Sequence, residues 1–343
     1  MSVLGSLFSP EPPPNALRYA GAPGHVESYF IRANHPSRPL ALWLKQTVLA
    51  PLQGPAVAES WLILFDGERQ RTLAHRETQA LSEARFEGAG SPEIELETRA
   101  FQIRLGERGA AVGRVNAPEG EARFELSWVP AESPVATPLS IFPYKLLRVG
   151  PFPKSKLLTP APWLEMSGEV SAWGERWTLE RWPGMQGHNW GKEHSFEYAW
   201  GQCLFPDEDA MVEGFTGRVK VAGRPSPRLS AAVVRRGGRS WRFDALFDTW
   251  RQSASLDGDR WSLALRGGDG ELELEMDASG RPMVCLGYGN PDGELSYCFN
   301  SKLAEVKMTV RPSDAASFTC ISACGGALEF LRRTPDPRFS RVV

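Results

Sequence analysis

The chain has 343 residues, 42% of them hydrophobic and 23% charged, and a formal net charge of -2. That length suits one large or two medium domains, and the near-neutral charge gives no global attraction to nucleic acid or an anionic membrane. No apolar run reaches the ~18 residues of a spanning helix, which excludes an ordinary integral membrane segment and leaves peripheral contact open.

The 33 Gly and 28 Pro imply many turns and therefore many short elements. Five Cys (Cys203, Cys285, Cys298, Cys320, Cys324) are an odd number and contain no Cys-x-x-Cys pair. The N-terminus, MSVLGSLFSPEPPP, has no basic region or sustained apolar stretch of a signal peptide. A cytoplasmic protein with free thiols is the simplest expectation.

Residues 1–20 read as a Pro-rich, extended arm. Period-2 alternation dominates after that, the signature of strands with one face buried. HVESYFIRAN (25–34) places Glu27 and Tyr29 on one strand face with Ile31. RTLAHRETQALSEARF (71–86) is the one weak helix candidate, with sparse apolar spacing. Strands follow at Ile94 and Leu96, at Phe101, Ile103 and Leu105, and at Phe124, Leu126 and Trp128.

Residues 130–163 hold eight prolines and read as a connection anchored by Ile141, Phe142, Tyr144, Leu146 and Leu147. Beyond it, alternation resumes at Trp241, Phe243, Ala245 and Phe247, at Trp261, Leu263 and Leu265, at Leu272, Leu274 and Met276, and at Met308 and Val310. Turn signals fall between the runs: FDGE (65–68), LDGD (256–259), GGDG (267–270) and PDGE (291–294). A two-residue turn in the last hairpin sets Cys285 opposite Cys298. One bulged residue breaks that pairing, so no disulfide is expected. The chain is expected to be all-β, as an arm (1–20), a first β domain (21–160) and a second (161–340).

The densest polar and aromatic stretch is WPGMQGHNWGKEHSFEYAWGQCLF, residues 182–205. Its PGMQGHNWG part reads as a tight, irregular loop presenting Gln186, His188, Asn189 and Trp190. From Ser195 the residues alternate, with Phe196, Tyr198, Trp200, Gln202 and Leu204 on one face. An apolar wall with a few convergent polar groups is the usual make-up of a small-molecule site. A well-bonded seam between strands is the structural alternative. His188, Glu193 and His194 are the acid–base candidates, with Glu27 in reserve. Tyr288, Asn300 and Lys302 bring further polar groups to the last hairpin. Neither His-Glu-x-x-His, nor Gly-x-Ser-x-Gly, nor a phosphate-binding glycine loop occurs, so no metal is expected and nucleotide enzymes are disfavoured.

Three stretches, ESYFIRANHPSRPLALWLKQTVL, GMQGHNWGKEHSFEYAWGQC and CFNSKLAEV, together resemble a lipocalin-like superfamily. It contains hydroxyneurosporene synthase (carotenoid 1,2-hydratase), tocopherol cyclase and related natural-product cyclases, including Diels–Alderases. The resemblance, spread over about residues 24–332, implies two lipocalin-like antiparallel β-barrels in tandem. It further implies a lipophilic isoprenoid or polyene as substrate, no redox cofactor, and chemistry begun by alkene protonation and finished by hydration or ring closure. On that expectation Glu193 or His194 donates the proton, with Trp190, Tyr198 and Trp200 as the cation-stabilising wall. His188 and Asn189 would orient, and Gln202 and Tyr29 would complete the binding surface. A non-catalytic carrier of a lipophile and, further off, a protein-binding scaffold are the competing readings. Substrate length and oligomeric state are left open.

Overall fold

The computed structural model describes residues 10–218, 220–221, 224–244, 251–339 and 341–343. The alternation expected at Ala245 and Phe247 lies outside the described residues.

The first sheet contains β1 (His25–Asn34), β2 (Leu40–Ala50), β3 (Val57–Asp66), β4 (Arg71–Ala80), β5 (Arg85–Glu87), β6 (Ile94–Glu97), β7 (Phe101–Leu105), β8 (Gly109–Ala117), β9 (Gly120–Pro130), β10 (Ser155–Ala172) and β11 (Glu175–Gly191). These strands run in the order β4-β3-β2-β1-β11-β10-β9-β8-β7-β6-β5, each antiparallel to its neighbour. The sheet curls until its two arms meet through side chains. Gln46 Nε2 donates to Phe101 O at 2.8 Å, His75 Nδ1 lies 3.1 Å from Asn116 O, and Arg99 N donates to Gln79 Oε1 at 2.8 Å. The alternating residues read from the sequence fill its interior, including Ile94, Leu96, Phe101, Ile103, Leu105, Phe124, Leu126 and Trp128.

The rest of the chain supplies β12 (Glu197–Phe205), β13 (Ala210–Arg218), a two-strand ribbon of β14 (Lys220–Val221) and β15 (Arg224–Pro225), β16 (Leu229–Arg236), β17 (Arg239–Phe243), β18 (Gln252–Asp257), β19 (Arg260–Gly267), β20 (Gly270–Asp277), β21 (Val284–Gly289), β22 (Leu295–Pro312) and β23 (Phe318–Arg332). The second sheet follows the order β17-β16-β13-β12-β23-β22-β20-β19-β18, with β21 also paired to β22. Trp241, Phe243, Trp261, Leu263, Leu265, Leu272, Leu274, Met276, Met308 and Val310 form its own core. The fold is all-β, as expected.

Four details depart from or sharpen the sequence reading. Residues 71–86 are β4, a 3-10 turn at Leu81–Glu83 and β5 instead of a helix, because β4 pairs with β3 along its whole length. Residues 182–191 are ordinary strand at the end of β11, and their glycines make room for neighbouring groups. A Cβ on Gly187 would lie 2.1 Å from the Phe30 ring, and one on Gly184 would lie 2.3 Å from Arg32 O. The position 160 falls inside β10, which with β11 belongs to the first sheet; the chain passes to the second sheet between Gly191 and Glu197. In the last hairpin Cys285 pairs with Phe299 and Leu286 with Cys298, so the two thiols are offset by one and both are free.

The Pro-rich connection packs on the second sheet. Val135, Ala136 and Leu139 join Leu204, Met211 and Val233 in one buried cluster. The outer faces of the two sheets meet directly: Phe30, Trp43, Trp61, Ile63, Phe65 and Met185 bury against Trp200, Leu286, Tyr288, Leu303, Ala327 and Leu331. This seam positions the candidate site.

Candidate active site between the two sheets

Strand alternation divides the candidate residues. In β1 and β11, Tyr29 pairs with His188 and Ser28 with Asn189, so Glu27, Tyr29, His188 and Trp190 share the inner face of the first sheet while Asn189 points to the seam. Two separate polar centres result.

The inner centre is built around Glu27, which is fully buried. Its carboxylate accepts from Arg18 N at 2.9 Å, Tyr19 N at 2.7 Å, Tyr29 Oη at 2.9 Å, and lies 3.0 Å from His25 Nε2 and 2.8 Å from His188 Nε2. His188 Nδ1 lies 2.8 Å from Pro14 O, and its ring stacks on Tyr29 at 4.2 Å. Burial alone would raise the Glu27 pKa, but the bonds from His188 and His25, the nearby His188 charge and the Arg18 N–H together hold it at about 2. A carboxyl so held stays ionised at neutral pH. This centre clamps residues 14–19 of the arm across the end of the first sheet, and Glu27, Tyr29 and His188 serve that clamp.

The outer centre is a pocket of about 70 Å³ in the seam, lined by Phe30, Phe142, Asn189, His194, Tyr198, Trp200, Phe215 and Glu329 among others. Four sequence candidates, Asn189, His194, Tyr198 and Trp200, therefore do converge. Trp200 is held edge-on by Phe30 at 5.9 Å, and its Nε1 donates to Glu213 Oε1 at 3.0 Å. Glu213, buried and also bonded by Thr159 Oγ1, has its pKa raised by that burial, against the opposing Trp200 and Thr159 bonds. For Tyr198, burial with Cys298 and Glu329 beside it pushes the phenol well above its ordinary value. His194 is pushed down to about 3 by burial, then by the charges of Lys45 and Arg333, so the ring is neutral and cannot supply a proton at neutral pH. Asn189 Oδ1 is buried without a hydrogen-bond partner.

The remaining candidates stand elsewhere. Glu193 pairs with Lys154 at 3.3 Å and lines a small recess behind the pocket with Phe152 and Phe196. Gln202 is fully buried in the seam, where it accepts from Arg32 and donates to Pro162 O at 3.1 Å. Trp190 packs on His188 at 4.7 Å and faces a groove under the arm.

The pocket's carboxyl escaped the sequence reading. Glu329 on β23 receives Lys302 Nζ at 2.6 Å and Asn300 Nδ2 at 3.0 Å, both from the paired strand β22. Lys302 is fully buried, and burial lowers its pKa against the opposing pull of Glu329. The available signal was a lone acid inside the apolar run ALEFL, residues 327–331. Among the described residues no group of three or more His, Cys, Asp or Glu is placed to hold a metal ion, and no helix is long and apolar enough to cross a membrane.

The fold is that of lipocalin-like proteins. A crystal structure of a Nitrosomonas europaea protein assigned as AttH covers 95% of this chain and 99% of its own, with a TM-score of 0.55 and 15% identity. Kievitone hydratase from Nectria haematococca covers 90% of this chain and 89% of its own, with a TM-score of 0.51 and 9% identity. At such identities the likeness is one of fold. In sequence, an uncharacterized protein of Mycobacterium tuberculosis, found in strains CDC 1551 / Oshkosh and H37Rv, is 23% identical over 293 residues, 84% of this chain and 82% of the relative. No family model matches the chain.

Proposed function

We propose that the protein is a cofactor-independent enzyme that protonates an alkene of a lipophilic isoprenoid or polyene and lets water capture or ring closure follow, in the pocket between the sheets. The observation that carries this reading is the one carboxyl lining the pocket among the described residues, Glu329, bonded by Lys302 and Asn300 and sharing the pocket with Trp200, Tyr198, Phe30 and Phe215. In this reading Lys302, fully buried with its Nζ 2.6 Å from Glu329 Oε1, is the source of the proton and Glu329 its carrier. The resulting carboxyl delivers the proton to an alkene carbon, leaving a tertiary cation that the aromatic faces stabilise by about 1–2 kcal/mol each when desolvated. Water held by the unpaired Asn189 Oδ1 attacks the cation and returns a proton to the pair, which closes the cycle without a redox step. In cyclisation an internal nucleophile or alkene replaces the water.

The pocket is far smaller than the ~300–1,000 Å³ of most small-molecule sites. It would take the reacting end of a chain, with the remainder leaving past the part-exposed lining residues Phe142 and Leu157. The hydratase among the fold neighbours supports the same class of reaction.

Mass spectrometry of organic extracts from the wild type, Glu329→Gln and Glu193→Gln, each purified from the native host, tests the proposal. Glu329→Gln is expected to retain a compound lighter by one water, or an open-chain isomer of the wild-type molecule, while Glu193→Gln matches wild type. Identical extracts from wild type and Glu329→Gln would make the protein a carrier of a lipophile.

A further inference from the structure

A second cavity, of about 740 Å³, lies outside the seam pocket, between the N-terminal arm at Pro10–Pro14 and the segment Val149–Pro153. Leu158 and Trp190 also line it, so much of its wall is apolar. Five cations line it as well, Arg18, Arg148, Lys154, Lys156 and Lys192, against the Glu11 carboxylate as the one acid among the described lining residues. Two of the cations are neutralised: Arg148 pairs with Glu11 at 2.6 Å and Lys154 with Glu193 at 3.3 Å.

Arg18 and Lys156 are different. The Arg18 guanidinium lies over Trp190 at 5.1 Å, and its Nη2 donates to Pro13 O at 2.9 Å. Its Nε and Nη1 are buried with no hydrogen-bond partner. Lys156 is 6% exposed, its Nζ donates to Pro153 O, and no carboxylate pairs with it among the described residues. Neither cation has an ion-pair partner among the described residues, the Glu27 and Glu11 charges acting on Arg18 without a salt bridge, and a groove with apolar walls lined by two such cations is complementary to a chain with an anionic end.

We propose that this groove binds a single-chain amphiphile whose oxyanion head, a carboxylate or phosphate monoester, is met by Arg18 and Lys156 while its chain lies along the proline-lined walls. Lys156 is the one residue the groove shares with the seam pocket, so the site stands beyond the reaction proposed above. Burial lowers the Lys156 pKa to about 8, which leaves the amine largely charged at neutral pH and ready to pair.

The test is displacement of cis-parinaric acid, followed by fluorescence, using oleate, oleyl phosphate, oleyl alcohol and inorganic phosphate as competitors. Oleate or oleyl phosphate is expected to compete at least about tenfold better than oleyl alcohol, since a hydrogen bond to a charged group is worth about 1.5–3 kcal/mol. Whichever of the two binds more tightly names the head group. Arg18→Met and Lys156→Met are each expected to weaken the anionic competitor about tenfold and leave oleyl alcohol unchanged. Arg18→Lys, which keeps the charge and the arm contacts, is expected to retain most of the affinity and so separates lost charge from a misplaced arm. The proposal is overturned if oleyl alcohol competes as well as oleate, if both Met variants bind the anions like wild type, or if inorganic phosphate alone displaces the probe.

Discussion

Replacing Glu27 by Gln should flatten the acid limb of the stability curve. Burial would raise this pKa, but the bonds with His188 and His25, the His188 charge and the Arg18 N–H outweigh it and hold it at about 2, against an ordinary value of 4.5. A folded-state pKa below the unfolded one means that the unfolded chain binds the extra proton first. The stabilisation is therefore complete above pH 4.5 and is lost as the pH falls toward 2. At about 1.4 kcal/mol per pH unit, the fall from 4.5 to about 2 corresponds to about 3 kcal/mol. Gln does not titrate, so Glu27→Gln should be less stable than wild type by about that amount at pH 7 and should converge with it near pH 2. Urea unfolding midpoints and m-values at intervals from pH 7 to pH 2 measure both curves. Two parallel curves, separated by a constant gap, would refute the assignment of Glu27 as a clamped anion.

Three further outcomes follow from the packing and charge of the seam. Gly187→Ala should cost about 1–3 kcal/mol through overpacking against Phe30, and the same change in a Phe30→Ala background should cost much less; equal costs by urea titration would show that the ring is not what the glycine accommodates. Lys302→Met should destabilise by about 3 kcal/mol because it leaves Glu329 without its counter-charge, whereas Lys302→Met with Glu329→Leu should recover much of the loss, and a double variant no better than the single would contradict the pairing. Burial holds Lys45 at about 8 against an ordinary 10.5, so the folded protein releases this proton first and wild type should gain stability relative to Lys45→Met as pH rises from 8 to 10.5. Thermal melts across that range that keep a constant difference would contradict this burial.

The strands were legible because their apolar residues alternate cleanly, as at Trp261, Leu263 and Leu265, and because Asp-Gly turns mark the hairpins at 256–259 and 291–294. Legibility failed where glycine was taken for a loop. At Gly184 and Gly187 the missing side chains make room for Arg32 and Phe30 inside a regular strand, and no local pattern distinguishes that use from a turn. The site was half legible for a related reason. Asn189 and His188 are adjacent in sequence, but strand alternation sends them to opposite faces, and only the pairing of β11 with β1 shows which face is which. Glu329 and Lys302 meet across β22 and β23 from positions that sequence proximity does not connect.

The most direct test of a reaction centre between the sheets is a crystal structure of Glu329→Gln purified with the lipophile it retains. The account expects density for the reacting end of that molecule against Trp200, Tyr198 and Asn189, within hydrogen-bond or van der Waals reach of residue 329. Density confined to the interior of the first sheet, beside Glu27 and His188, would contradict it.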